Sequence, residues 1–324
     1  MNLIDNLFSD LSFKSVSLDN MSEELFAMYV WQILNKKNKN ILLVTSNLIE
    51  ANKLFQKISL YTNDAYLFPM DDFLTSEAIA ISPDLLITRL ETLKAIQNDK
   101  PLIVITHLMG YLHFLPNKKI YKDNILTIST DMEISHKTLI EKLQLLGYKR
   151  ETIVTKTGEL GVRGFIIDLF PLGESHPIRL EFFGDTIESI RSFDENTQRS
   201  LEHLDKITIY PCTEFLVDTP LDEDEPPKPL DNYIKVDSIQ DYLTDSVTIY
   251  KDPSSIKTVY ENIVTDVKNY TEEKNIKTTR FFFPYKEKYQ EDAISYFSID
   301  SAIESKKEII SFNTKNPPQF YEDT

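Results

Sequence analysis

Arginine is scarce in this chain and unevenly placed: of Arg89, Arg150, Arg163, Arg179, Arg191, Arg199 and Arg280, five lie between positions 150 and 199. Elsewhere cations are supplied almost wholly by lysine. A segment that persists with arginine needs a planar, multi-donor fork, for carboxylate recognition or for stacking. Strand alternation over residues 177–183 puts Arg179, Glu181 and Phe183 on one face. Arg163, within 162–170, joins that face only if the strands pair in suitable register. Two arginines flanking an exposed phenylalanine have the composition of a protein–protein hot spot. The competing reading makes Phe183 a core residue and pairs the arginines with Glu181 or Asp185. Residue types alone weigh the two evenly.

Other chemistry is conspicuous by its absence. All seven glycines lie between Gly110 and Gly184, and there is no G-K-[ST], so no loop early in the chain lets backbone amides close around a phosphate. The stretch where such a loop would fall, 17–23, carries Asp19 and Glu23, which repel phosphate. Lys251-Asp252-Pro253 after the strand at 247–250 makes a poor magnesium site. Asp71-Asp72 and Glu77 lack a neighbouring nucleophile or cation in sequence and read as caps for the next helix. Cys212, the one cysteine, cannot form an internal disulfide and reads as a buried, inert thiol. His107, His113, His136, His176 and His203 show no metal-binding spacing, so no metal is expected. A net charge of −16 opposes the phosphate backbone and argues against nucleic acid as first partner. With no apolar run long enough for a membrane span and no signal-peptide order at the start, a cytoplasmic location is expected.

The elements that must position these residues follow from periodicity. Residues 1–123 alternate buried strands (41–45, 65–68, 102–106) with helices, one at 47–58 with Leu48, Ala51, Leu54, Phe55 and Ile58 on a face, another opened by Pro83. That grammar predicts a parallel sheet covered on both sides. Residues 124–210 follow a different pattern, with a helix over 135–146, Ser135 as its N-cap and Gly147 past its end, then strands over 152–156, 162–170, 178–183, 186–193 and 206–209. Short joins at Gly158-Glu159 and Gly184-Asp185 imply antiparallel neighbours. Residues 211–324 begin with an acidic, proline-rich linker at 218–231 and resume the α/β alternation, with a strand at 247–250, a helix at 254–267 and a strand at 309–312. Phe281-Phe282-Phe283 before Pro284 reads as a core strand rather than a base-stacking platform.

Gly147-Tyr148, Arg150, Gly158-Glu159, Val162-Arg163-Gly164, Asp168-Leu169-Phe170-Pro171, Arg179-Leu180-Glu181-Phe182-Phe183-Gly184-Asp185 and Ile187 to Asp194 resemble, in order, the domain shared by UvrB and the transcription-repair coupling factors. Thr197-Gln198-Arg199-Ser200 is similar to the coupling-factor version, as are Phe68-Pro69, Asp72, Ser82-Pro83 and Arg89-Leu90-Glu91-Thr92-Leu93. The resemblance is strong over 139–215, moderate over 40–116 and weak after the linker. It implies a degenerate helicase-like, P-loop-NTPase-like sheet of the RecA type with an inserted α+β domain. It implies UvrA as partner, contacted by Arg163, Arg179 and Phe183, and a role in recruiting excision repair to stalled RNA polymerase. It further implies a fragment starting at the native N-terminus, without catalysis or cofactor of its own, packing against the rest of a parent protein. Polymerase, DNA, ATP and magnesium would belong to motor and polymerase-binding domains outside this sequence. The rival readings are a UvrB-type helicase subunit that binds damaged DNA and an autoinhibitory clamp on the parent motor.

Overall fold

The computed structural model describes residues 15–71, 82–216, 230, 234–273, 275, 280–299, 301, 303 and 305–314. Asp72, Glu77 and the acidic stretch 218–229 lie outside the described residues. The chain divides into two compact units, one drawn from Met1–Thr92, Asn98–His113 and Ser238–Thr324, the other from Leu93–Gln97 and Phe114–Asp237.

The chain opens with β1 (Val16–Asp19), α1 (Glu23–Lys37), β2 (Asn40–Thr45), α2 (Leu48–Ser59), β3 (Ala65–Phe68), α3 (Pro83–Ile96) and β4 (Ile103–His107). Next come α4 (His136–Leu145), β5 (Lys149–Arg150), β6 (Glu159–Arg163), β7 (Ile166–Leu169), β8 (Ile178–Phe183), β9 (Thr186–Phe193) and β10 (Ser200–His203). It finishes with β11 (Ser246–Lys251), α5 (Pro253–Glu273), β12 (Ile294–Tyr296) and β13 (Glu308–Ser311).

In the first unit a seven-stranded sheet has the order β13-β1-β12-β11-β2-β4-β3, and every pairing is parallel. Ile41, Leu42, Leu43 and Val44 on β2 and Ile103, Val104 and Ile105 on β4 are all fully buried. Consecutive buried apolar residues require cover on both faces, which is why these strands read as unbroken runs. Helix α1 buries Phe26, Tyr29, Val30 and Ile33, with Phe26 stacked on Tyr296 at 3.8 Å. Asn47 caps α2 by accepting from the Glu50 amide at 3.0 Å. Asp71 accepts from the Ser82 amide at 3.0 Å immediately ahead of α3, a structural use of that carboxylate. Arg89 is fully buried and donates to the Pro69 carbonyl at 3.0 Å. The strand expected at Phe281-Phe282-Phe283 does not form. The Phe283 amide donates to Leu112 O at 2.9 Å, and the Phe283 ring lies 4.2 Å from the Lys288 ammonium.

The second unit holds a six-stranded sheet ordered β10-β9-β8-β7-β6-β5. Its pairings are antiparallel except β5 with β6, which is parallel and departs from the all-antiparallel expectation. Ile178, Leu180 and Phe182 are buried while Arg179, Glu181 and Phe183 point to the opposite face. His136 at the start of α4 stands edge-on to Phe182 at 5.1 Å, so the helix covers the apolar face.

Two local expectations about strands are corrected. Residues 162–170 are two strands, because Gly164 adopts φ 58° and folds β6 back on β7 with Arg163 opposite Ile166. Residues 152–156 are a turn: the Glu159 carboxylate accepts from the amides of Thr155 (2.6 Å) and Lys156 (2.9 Å), drawing the backbone away from a ladder. Ser135 stands at the N-cap of α4, but its side chain makes no capping bond. The strand Lys206–Ile209 forms, in a separate two-stranded sheet with Leu126–Ser129. Gly147 is required where it lies, with φ 89° and an added Cβ falling 2.7 Å from the Thr213 Cβ.

Cys212 is buried, and that burial pushes its thiol up to about 11. A thiolate-selective reagent at mildly alkaline pH is therefore expected to leave the folded chain unmodified and to label it fully in denaturant. Rapid labelling of the folded chain would contradict the buried placement.

Candidate protein-binding site

The polar face of the six-stranded sheet is organised around one carboxylate. Asp168 on β7 lies directly opposite Arg179 on β8 and Gly161 on β6. Its side chain is almost wholly covered, and Arg179 grips it with two bonds, Nε to Oδ1 at 2.7 Å and Nη2 to Oδ2 at 2.9 Å. This is the parallel two-bond geometry that only a guanidinium supplies. Arg163 reaches the same carboxylate with Nη2 at 3.4 Å. Arg179 is clamped further by Nη2 donating to Gln198 Oε1 at 3.1 Å and by the Phe193 ring, 4.5 Å from its Cζ. The hydrogen bonds to Asp168 hold the Arg179 guanidinium above its ordinary pKa.

The three residues singled out from sequence therefore share one face, and they differ in what they offer. Phe183 is 79% exposed at the end of β8. The Arg163 side chain is 56% exposed and held by one long contact, whereas the Arg179 side chain is 15% exposed with its Nε and Nη2 engaged. Arg179 pairs with Asp168, not with Glu181 or Asp185. Glu181 is taken by Arg191 Nη2 and by Ser189 Oγ at 2.8 Å. Gln198 clamps Arg179 from a turn in which Asp194 accepts from Thr197 N at 2.7 Å and Thr197 Oγ1 at 2.8 Å, with Gln198 itself at φ 61°. Asp168, Gln198 and the Glu181–Arg191 pair were missed as parts of this site. The signal was present for Asp168: an aspartate between Ile166-Ile167 and Leu169-Phe170 is a charge in a buried run, and such a charge needs a cation opposite it.

The first unit has its own charge cluster, at the ends of β1 and β11. Helix α1 begins with Glu23 and Glu24 after Ser22, whose hydroxyl accepts from the Leu25 amide at 3.4 Å. Lys57 bonds Glu23 at 2.6 Å and Glu24 at 2.8 Å. Lys251, almost buried at the end of β11, lies 3.4 Å from Glu23 and 3.5 Å from Glu50. Burial alone would raise the Glu23 pKa, but the Lys57 hydrogen bond and the Lys251 charge outweigh it and hold the group below the ordinary value. Among the described residues no group of three or more His, Cys, Asp or Glu could hold a metal ion, and no helix is long and apolar enough to cross a membrane.

Sequence comparison identifies the class of the unit that carries this buried aspartate and its arginine fork. Residues 126–215 match the family model of the UvrB interaction domain. The chain is also similar to transcription-repair-coupling factors. It is 32% identical to that of Staphylococcus epidermidis over 219 residues, which is 66% of this chain and 19% of the relative. The factor from Bacillus subtilis is 31% identical over 206 residues, covering 63% of this chain and 18% of the relative. That of Staphylococcus aureus is 35% identical over 185 residues, 56% of this chain and 16% of the relative. This chain contains a UvrB interaction domain and is homologous to a segment of about a fifth of these factors.

Removing the Arg179 fork leaves Asp168 desolvated with only the long Arg163 contact. Arg179→Ala is expected to destabilise the chain by about 3 kcal/mol in urea denaturation, the scale for orphaning one partner of a buried ion pair. Arg163→Ala should shift the midpoint little. Equal midpoints for the two variants would contradict the division between them.

Proposed function

We propose that this chain is a docking module that binds UvrA through the polar face of its six-stranded sheet and so connects excision repair to a transcription-coupled parent protein. The observation that carries the reading is an exposed Phe183 and a half-engaged Arg163 on one face, where Arg179 and Arg191 are already paired with carboxylates. An exposed aromatic beside a guanidinium is the usual make-up of a binding hot spot. In this reading Phe183 and Arg163 touch the partner, and Arg179 contributes through the rigidity it gives Asp168 and the strand end.

The parallel-sheet unit is, in this proposal, a helicase-like domain that has lost nucleotide binding. Support comes from the sheet order, in which β1 and β11 are separated by the single strand β12. In phosphate-binding relatives of such a sheet, the loop after the first strand cradles the phosphates and an acidic strand end holds magnesium. Here the loop before α1 has no glycine, and Glu23 and Glu24 stand at the helix start, where its dipole would otherwise favour phosphate. At the other strand end Lys251 is turned inward onto Glu23 and Glu50. The chain's own carboxylates and lysines satisfy one another where a nucleotide would need both. The module thus has no catalysis and no cofactor of its own. ATP, magnesium, DNA and RNA polymerase belong to the remainder of a cytoplasmic parent protein, against which this unit packs.

Phe183→Ala and Arg163→Ala should each weaken UvrA binding by about 2 kcal/mol, roughly 30-fold in Kd by calorimetry, with the melting temperature unchanged. Undiminished affinity in the double variant would overturn the assignment of the face. Titration of ATP with magnesium into the chain should give no binding heat, and measurable affinity would instead favour the helicase-subunit reading.

A further inference from the structure

The exposed groups of the site are gathered at one end of the sheet rather than spread over its face. Arg163 and Ile166 are the last register pair of β6 and β7, and Phe183 and Thr186 the last of β8 and β9. The two hairpins turn side by side, tied by the Phe182 amide donating to the Phe165 carbonyl at 2.9 Å. Gly164 at φ 58° and Gly184 at φ 62° make the two tight turns, and an added Cβ at either would meet nothing within 4 Å. Away from this end Arg179 is paired with Asp168 and Arg191 with Glu181.

One further large apolar side chain stands at this end. Phe165, in the turn between β6 and β7, is 64% exposed. Its ring lies 6.3 Å from the His136 ring at an interplanar angle of 66°, and His136 in turn stands edge-on to Phe182. Phe165 thus leans toward the helix-covered side of the sheet while Phe183 projects from the polar side. Single exposed phenylalanines are ordinary on a protein surface. Two on adjacent hairpin ends, one on each side of the sheet, give an apolar tip bordered by Arg163 on one hairpin and by the exposed Asp185 in the turn of the other.

We propose that the partner is engaged end-on: the paired hairpin tips enter a cleft of UvrA, with Phe183 against one wall, Phe165 against the other and Arg163 facing a carboxylate at the rim. This rests on the UvrA reading above and assigns Phe165 as a second, specificity-determining contact. The geometry requires a concave partner surface. A flat one could reach Phe183 and Arg163 from the polar side but not Phe165 behind the sheet. The commitment to a protein with an acidic rim follows from the exposed arginine at the tip, and the chain's net charge of −16 disfavours a phosphate backbone in that role.

The experiment is a calorimetric titration of UvrA into the whole chain carrying Phe165→Ala, Phe165→Leu, Phe183→Ala or Leu201→Ala. Leu201, half exposed on β10, serves as an apolar control outside the tip. End-on docking predicts a loss of tenfold or more in affinity for F165A, partial recovery in F165L, and no change for L201A, all with native melting temperatures. Wild-type affinity for F165A alongside weakened F183A would overturn the end-on mode and leave the polar-face reading standing. Unchanged affinity for F165A and F183A alike would sink that reading too.

Discussion

A carboxylate removed from water must be matched by a cation in good geometry or it destabilises the fold that removed it. Asp168 sets this condition for the six-stranded sheet. It sits mid-strand on β7, flanked along the chain by buried Ile167, Leu169 and Phe170, with only the arginines on its own face available to answer it. Because Arg179 answers with a fork, its plane is fixed, and it can then lie over Phe193 and accept the Gln198 clamp from the turn after β9. One ion pair therefore fixes β7 against β8 and the 194–198 turn against both. The rigid end from which Phe183 and Arg163 project is a consequence of that pairing.

The same logic of internal pairing holds in the other unit. A sheet of parallel strands delivers its strand ends and helix starts to a common edge, and that convergence makes such edges receptive to anions. In this chain the edge is occupied from within. Glu23 takes Lys57 and Lys251, and Glu50 takes Lys251 again, so the positive helix start and the buried ammonium are both spent on internal partners. Mutual neutralisation keeps a buried lysine tolerable without a ligand. It also holds α1 and α2 to the end of β11.

Much of this was legible in the residues. The parallel sheet announced itself through unbroken apolar runs such as 41–44 and 103–105, which have no meaning on a one-sided sheet. The shared face of Arg179, Glu181 and Phe183 followed from alternation alone. What failed was set by single residues acting across the chain. Gly164 divides 162–170 because its backbone adopts φ 58°, and the apolar run Phe165-Ile166-Ile167 that follows it concealed the break. Glu159 dissolves the strand expected at 152–156 by taking two amides that a ladder would have needed. The register that brings Arg163 to the site depends on that same Gly164 turn, so it could not be assigned before the turn was known.

The choice between the two sequence readings of the arginines shows why composition could not decide. One reading made them contacts and the other made them structural, as though the cluster had a single purpose. The structure divides them by donor supply. Arg179 commits Nε and Nη2 to Asp168 and Arg191 gives Nη2 to Glu181, and both are largely covered, while Arg163 gives one long bond and keeps more than half its surface. A guanidinium has enough donors to do both, and how many remain for another molecule depends on how many carboxylates its own sheet puts within reach. For Arg163 the sheet offers one, already held by a better-aligned neighbour, and that shortfall leaves a cation at the same end of the sheet as Phe183.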